Sequence, residues 1–128
     1  MRRTWLLALG VAAFGVAILA GCASQGGEPT SYHLMEFAID GPDRLDDGAE
    51  TLTVENGGEF PHTLVVTDET GTVVAATSLI PAGESTNLAL DLDPGTYSVT
   101  CRIVAQTPDG DIVDHFEAGM HTTLHIGD

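Results

Sequence analysis

The sequence predicts an all-β domain, an antiparallel sandwich or barrel of about seven or eight strands. Three observations predict it. Apolar and polar residues alternate over short stretches between Tyr32 and Ile126, and Gly, Pro, Asp and Asn recur between those stretches. No segment of this region carries the long 3.6-residue period of an amphipathic helix.

The strands follow in order. Tyr32–Ile39 alternates so that Met35, Phe37 and Ile39 share a face, with His33 on that face as a partly buried edge residue. Gly41-Pro42-Asp43 breaks the strand, and 43–49 reads as an acidic loop. Thr51–Glu55 is a second strand, with Leu52 and Val54 inward. Asn56-Gly57-Gly58-Glu59 turns the chain into Phe60–Val66. Pro61 has no N–H to give a ladder and belongs at a strand start or edge, which puts His62 at a strand end, where side chains converge. Asp68–Gly71 is a hairpin turn into Thr72–Thr77, and 79–84 is a connecting loop. Thr86–Leu92 sets Leu88, Leu90 and Leu92 on one side, Asp93-Pro94-Gly95 turns, and Thr96–Cys101 follows. His121–Ile126 closes the domain, with Leu124 and Ile126 inward and His121 and His125 on the surface. No internal repeat interrupts this order.

Ahead of the strands the composition changes. Residues 1–21 read as a lipoprotein signal peptide, with basic Arg2-Arg3, apolar Trp5–Leu19 and small Ala20-Gly21. The apolar run is short for a membrane span, which needs ~20 such residues. Leu19-Ala20-Gly21-Cys22 resembles a lipobox, in which the cysteine is acylated and becomes the mature N-terminus. Cys22 is thus the predicted lipid anchor, with two or more acyl chains holding the protein on a membrane. Arg2-Arg3 leaves both general and twin-arginine export open. Residues 22–31, small and polar with glycine and proline, read as a flexible tether, and 32–128 as the domain.

All nineteen acids lie beyond Cys22 and face only Arg44 and Arg102, so the exported part carries a formal charge of −17. Nucleic acid, which needs a basic footprint, is excluded as a partner. The charge reads first as a device for solubility and, as the alternative, as steering towards a partner with a basic surface; composition does not separate the two. With Cys22 lipidated, Cys101 has no cysteine left to pair with. A lone thiol outside the cytoplasm is either buried and inert or held by a metal.

Cys101 has companions of matching chemistry. His62 in Phe60-Pro61-His62-Thr63-Leu64, His115 in His115-Phe116-Glu117-Ala118-Gly119-Met120, and Met120 itself complete a set of one thiolate, two imidazoles and one thioether. That set suits blue copper, because the thiolate favours copper over hard cations and a long thioether bond avoids tetragonal geometry. Zinc is the lesser metal reading, since it gains little from methionine. Gly119 permits the tight turn that aims His115 and Met120 at one ion. The residues 102–114 between Cys101 and His115 predict a β-hairpin, with Thr107-Pro108-Asp109-Gly110 as its turn. Its paired arms return His115 to Cys101. Phe60 and Phe116 flank the two histidines and are expected to keep water off the metal and form a docking patch.

The stretches 56–66, 94–101 and 115–120, in this order, resemble the cupredoxins, plastocyanin-like proteins most closely, with weaker likeness over 32–127. The resemblance implies a Greek-key β-sandwich binding one type 1 copper ion, with His62, Cys101 and His115 equatorial and Met120 axial. Plastocyanins join the cysteine and second histidine by a very short loop, so the hairpin insert is a departure. The implied function is single-electron transfer between redox protein partners outside the cytoplasmic membrane. It implies neither enzyme activity nor a small-molecule substrate. A Cu(I)-handling lipoprotein and a metal-free binding module are the alternatives.

Overall fold

The computed structural model describes residues 30–127. The signal 1–21, Cys22 and the tether as far as residue 29 lie outside the described residues. Among the described residues there is no helix, and eleven strands form. They are β1 (Ser31–Met35), β2 (Ala38–Asp40), β3 (Arg44–Leu45), β4 (Gly48–Asn56), β5 (Val65–Thr67), β6 (Val73–Ala76), β7 (Ser85–Leu92), β8 (Gly95–Thr100), β9 (Val104–Gln106), β10 (Ile112–Asp114) and β11 (His121–Ile126). The excess over seven or eight comes from pieces of two or three residues, β2, β3, β5, β9 and β10.

One sheet has the order β2-β1-β4-β7 and the other β3-β11-β8-β5-β6, with β9 and β10 as a separate hairpin. The sheets are mixed rather than purely antiparallel, because β1 pairs with β4 and β3 with β11 in parallel. Their apolar faces enclose one core. Tyr32, Leu34, Leu52, Val54, Leu88, Leu90 and Leu92 come from the first sheet, and Val66, Tyr97, Val99, Leu124 and Ile126 from the second. In β4 and β7 the alternation translates directly into burial, with Leu52 opposite Leu88 and each facing inward. Burying each such leucine contributes roughly 1.5–3 kcal/mol.

Four local expectations are corrected. In β1 the inward residues are Tyr32 and Leu34, while Met35 is 52% exposed. Both alternating sets of Tyr32–Ile39 are apolar, so period two alone does not choose the face. The stretch is also two strands rather than one, joined at Glu36-Phe37, where Phe37 adopts a left-handed φ of 63°. His33 is exposed on the inner strand β1, its Nδ1 2.9 Å from Glu55. Within the predicted acidic loop, Arg44–Leu45 pairs with His125–Ile126, and β4 already begins at Gly48.

Pairing starts before Tyr32. Ser31 lies opposite Thr53, the Thr30 carbonyl accepts the Thr53 N–H at 2.9 Å, and the Thr30 hydroxyl donates to Glu50 at 2.6 Å.

Candidate metal centre

Three loops at one end of the sandwich carry the donors. The first runs from Asn56 to Thr63. Asn56, 2% exposed, donates through its side-chain amide to the Phe60 and Ile80 carbonyls at 2.8 and 2.9 Å, and accepts the Gly58 N–H at 2.9 Å. A fully satisfied buried amide is a rigid bracket. It delivers His62 to an isolated two-bond bridge with Ile80, where His62 N–H donates at 3.1 Å and Ile80 N–H returns at 2.8 Å. The sequence marked Asn56 only as a turn residue; its side chain in fact closes the loop that aims His62.

The second donor, Cys101, stands just past the end of β8, fully buried. The third loop, Asp114–Met120, is a compact turn. Asp114 Oδ1 accepts the Phe116 and Glu117 N–H groups at 2.9 and 3.3 Å, and its carbonyl accepts the Ala118 N–H at 2.9 Å. Gly119 has φ 122°, a conformation that L side chains rarely adopt. Met120 then ties the loops together: its N–H donates to the His115 carbonyl at 2.9 Å, and its carbonyl accepts the Cys101 N–H at 3.0 Å.

The residues 102–114 form the predicted hairpin. Val104 pairs with Asp114, Ala105 with Val113 and Gln106 with Ile112, around the turn Thr107–Gly110. At its base the His115 N–H donates to the Ile103 carbonyl at 2.9 Å, which fixes His115 beside the strand it left.

The structure thus brings His62, Cys101 and His115 together, all buried. His62 Nδ1 and His115 Nδ1 are 3.2 Å apart, and Cys101 Sγ stands 3.7 Å from His115 Nδ1 and 3.9 Å from His62 Nδ1. The point equidistant from these atoms lies about 2.1 Å from each, within the range of about 2.0–2.3 Å for first-row metal bonds to imidazole nitrogen and thiolate sulfur. Met120 is buried at 0% exposure beside them, bonded through its backbone to two of the three. The four side chains fit a type 1 copper site.

Electrostatics favour that use. Burial pushes the His62 imidazole below its usual pKa, against an opposing pull from Glu36. Burial, and then the neighbouring His62, does the same to His115. Both rings are therefore held neutral, with a lone pair available to a cation. The Thr63 N–H points at Cys101 Sγ from 3.5 Å.

The surroundings differ in part from expectation. Phe60, 47% exposed, lines a cavity of about 280 Å³ together with Phe37, Ala105, Val113 and His115. The ring packed on His115 is Phe37's, edge-on at 5.5 Å between centroids. Phe116, expected to shield the site, stands instead against His121 at 5.0 Å and under the Arg102 guanidinium at 4.9 Å. His121 and His125 are exposed, as the alternation of β11 requires.

Sequence reasoning also missed Glu36. Its carboxylate accepts the Glu59 and Phe60 N–H groups at 2.7 and 3.0 Å and stands 3.4 Å from His62 Nε2. The Phe60 N–H foremost holds the Glu36 carboxyl below the usual carboxylate range. The one sequence signal was Gly58, where a Cβ would collide with that carboxylate.

No protein-family model and no curated protein matches the sequence. Solved structures do match. The chain is similar to reduced auracyanin from the photosynthetic bacterium Roseiflexus castenholzii, at 19% identity and TM-score 0.58 over 77% of this chain and 95% of that one. It is similar to an azurin from Methylomonas sp. strain J, at 17% identity and TM-score 0.57 over 78% and 98%. It is also similar to auracyanin A, a blue copper protein from Chloroflexus aurantiacus, at 14% identity and TM-score 0.55 over 77% and 99%. At these identities the likeness is one of fold.

Proposed function

We propose that this chain, which has the cupredoxin fold, is a type 1 copper protein that shuttles single electrons between redox partners outside the cytoplasm. The observation that carries the reading is the convergence of His62 Nδ1, His115 Nδ1 and Cys101 Sγ on one point at metal-bond distance.

A bound copper ion would supply a one-electron couple. The chain's own residues do the rest. His62 and His115 present neutral Nδ1 atoms, and the Thr63 N–H takes up part of the charge on the Cys101 sulfur. The brackets at Asn56 and Met120 fix the donors in advance, so little has to move when charge changes. Phe37 packs on His115, and Phe60 and the hairpin join it around the cavity, giving the site a mainly apolar border on this side. His115, 2% exposed, is the donor nearest solvent on this side and the natural path for an electron.

With four donors filled, no position remains for a substrate, which favours a carrier over an enzyme. The lipobox-like Leu19–Cys22 supports a lipid anchor on Cys22 at the outer face of the cytoplasmic membrane. The excess of acids supports a redox partner with a basic surface.

Cu(II) titration with voltammetry tests this reading. An electron carrier takes up one equivalent, turns intensely blue and cycles reversibly, and Cys101→Ser abolishes the colour. A protein that holds only Cu(I) with weak colour is a copper buffer instead, and one that binds neither state is a metal-free module.

A further inference from the structure

We infer that Glu36 is a positioning residue for His62: its carboxylate is placed to take the His62 Nε2–H once the short gap between them closes, favouring the tautomer and ring tilt that turn Nδ1 towards Cys101 and His115. This deepens the copper reading above and rests on it.

His62 Nε2 is buried and makes no hydrogen bond, and the polar atom facing it is Glu36 Oε1 at 3.4 Å. That separation is longer than the about 2.7–3.2 Å of a formed N–H···O bond. The pair is therefore in place but not yet closed. Among the described residues Glu36 is the one carboxylate in ion-pair range of a donor ring.

The carboxylate is itself held. Oε1 accepts the N–H groups of Glu59 and Phe60, in the loop that carries His62, so the carboxylate and the imidazole share one rigid frame. Gly58 leaves the space that the carboxylate fills, since any Cβ there would collide with it. The turn that presents Glu36 is built at a cost, because its other residue, Phe37, takes a left-handed φ of 63° and sets its ring on His115. One two-residue turn therefore reaches both imidazoles.

The chemistry is general. A ligating histidine gives its other ring N–H to an acceptor that sets the tautomer and raises ligand basicity. An anionic acceptor also favours the more highly charged metal state, so Glu36 stabilises Cu(II) over Cu(I).

Glu36→Gln and Glu36→Ala test the role in the copper-loaded protein, with midpoint potential and electron-paramagnetic spectrum as readouts. Gln keeps an oxygen for the Glu59 and Phe60 N–H groups but lacks the charge. The preference for Cu(II) is expected to fall about tenfold in Glu36→Gln, a rise of about 59 mV for one electron. Glu36→Ala is expected to raise the potential at least as far and to alter the spectrum, because the His62 ring is released. In the metal-free protein, ¹⁵N shifts of His62 are expected to report the Nε2–H tautomer in the wild type and a mixture in Glu36→Ala. Wild-type potential, spectrum and tautomer in both variants, with only the melting temperature lowered, would overturn the inference and leave Glu36 as a loop tie. A wild-type protein that takes up no copper would overturn the functional reading itself, and this inference with it.

Discussion

Cys101 Sγ and His115 Nδ1 stand 3.7 Å apart although fourteen positions separate them in the chain. Two devices achieve this. The β9–β10 hairpin returns the chain to its base, where His115 bonds to Ile103, and Met120 bonds to both Cys101 and His115. The insert therefore adds surface without displacing a donor. Its Ala105 and Val113 wall the cavity beside His115.

Phe37 sits in a conformation that favours glycine. Removing its ring exposes His115, but glycine at this position also relieves the backbone. Phe37→Gly is expected to be more stable than Phe37→Ala by about 1 kcal/mol in urea unfolding. The reverse order would remove strain from the account of this turn.

Gly119 and Gly110 both have positive φ, at 122° and 93°, yet their surroundings differ. A Cβ at Gly119 would stand 3.1 Å from the Phe37 carbonyl, whereas Gly110 has nothing within 4 Å. Gly110→Ala is expected to cost about 1 kcal/mol of stability and leave copper affinity intact. Gly119→Ala is expected to cost about 2–3 kcal/mol and to weaken copper binding, because the turn that joins His115 to Met120 must shift. Calorimetry and copper titration of the two variants distinguish these outcomes.

Tyr32 gives an alkaline signature. Burial, helped by the charges of Asp43 and Glu50, pushes its phenol from 10.0 up to about 12. The unfolded chain therefore loses this proton first, and stability falls as pH rises from 10 to about 12. Tyr32→Phe is expected to flatten this slope in pH-resolved urea unfolding. It also loses the bond from the Tyr32 hydroxyl to the Pro42 carbonyl, at about 1 kcal/mol near neutrality. An unchanged slope would show that Tyr32 ionises alike in both states.

Much of this was legible in the sequence, for identifiable reasons. β11 and β7 read correctly because only one of their two faces is apolar. The hairpin was legible because Pro108-Asp109-Gly110 is turn chemistry between β-branched arms. The turn at Glu36-Phe37 was not. It contains neither glycine nor proline, its left-handed residue is a phenylalanine, and both alternations of Tyr32–Ile39 are apolar. Glu36 and Phe37, the side chains set against the two imidazoles, were hidden with it. Asn56 was legible as a turn residue, but its bonds to Phe60 and Ile80 depend on two loops meeting, which no local pattern encodes.

The Met120 backbone helps to build the site, and its thioether is expected to tune it. Replacing Met120 with leucine removes a weak donor to Cu(II), and glutamine supplies a stronger one. Met120→Leu is expected to stay blue with a raised midpoint potential, and Met120→Gln to show a lowered one. Equal potentials by voltammetry in all three proteins would place the thioether outside the coordination sphere.

The most direct test of the central claim is the visible absorption spectrum during Cu(II) titration. One equivalent is expected to produce a single intense thiolate-to-copper band that saturates at a 1:1 ratio. A weak, tetragonal Cu(II) spectrum, or no spectral change at all, would contradict the meeting of His62, Cys101, His115 and Met120 on one copper ion.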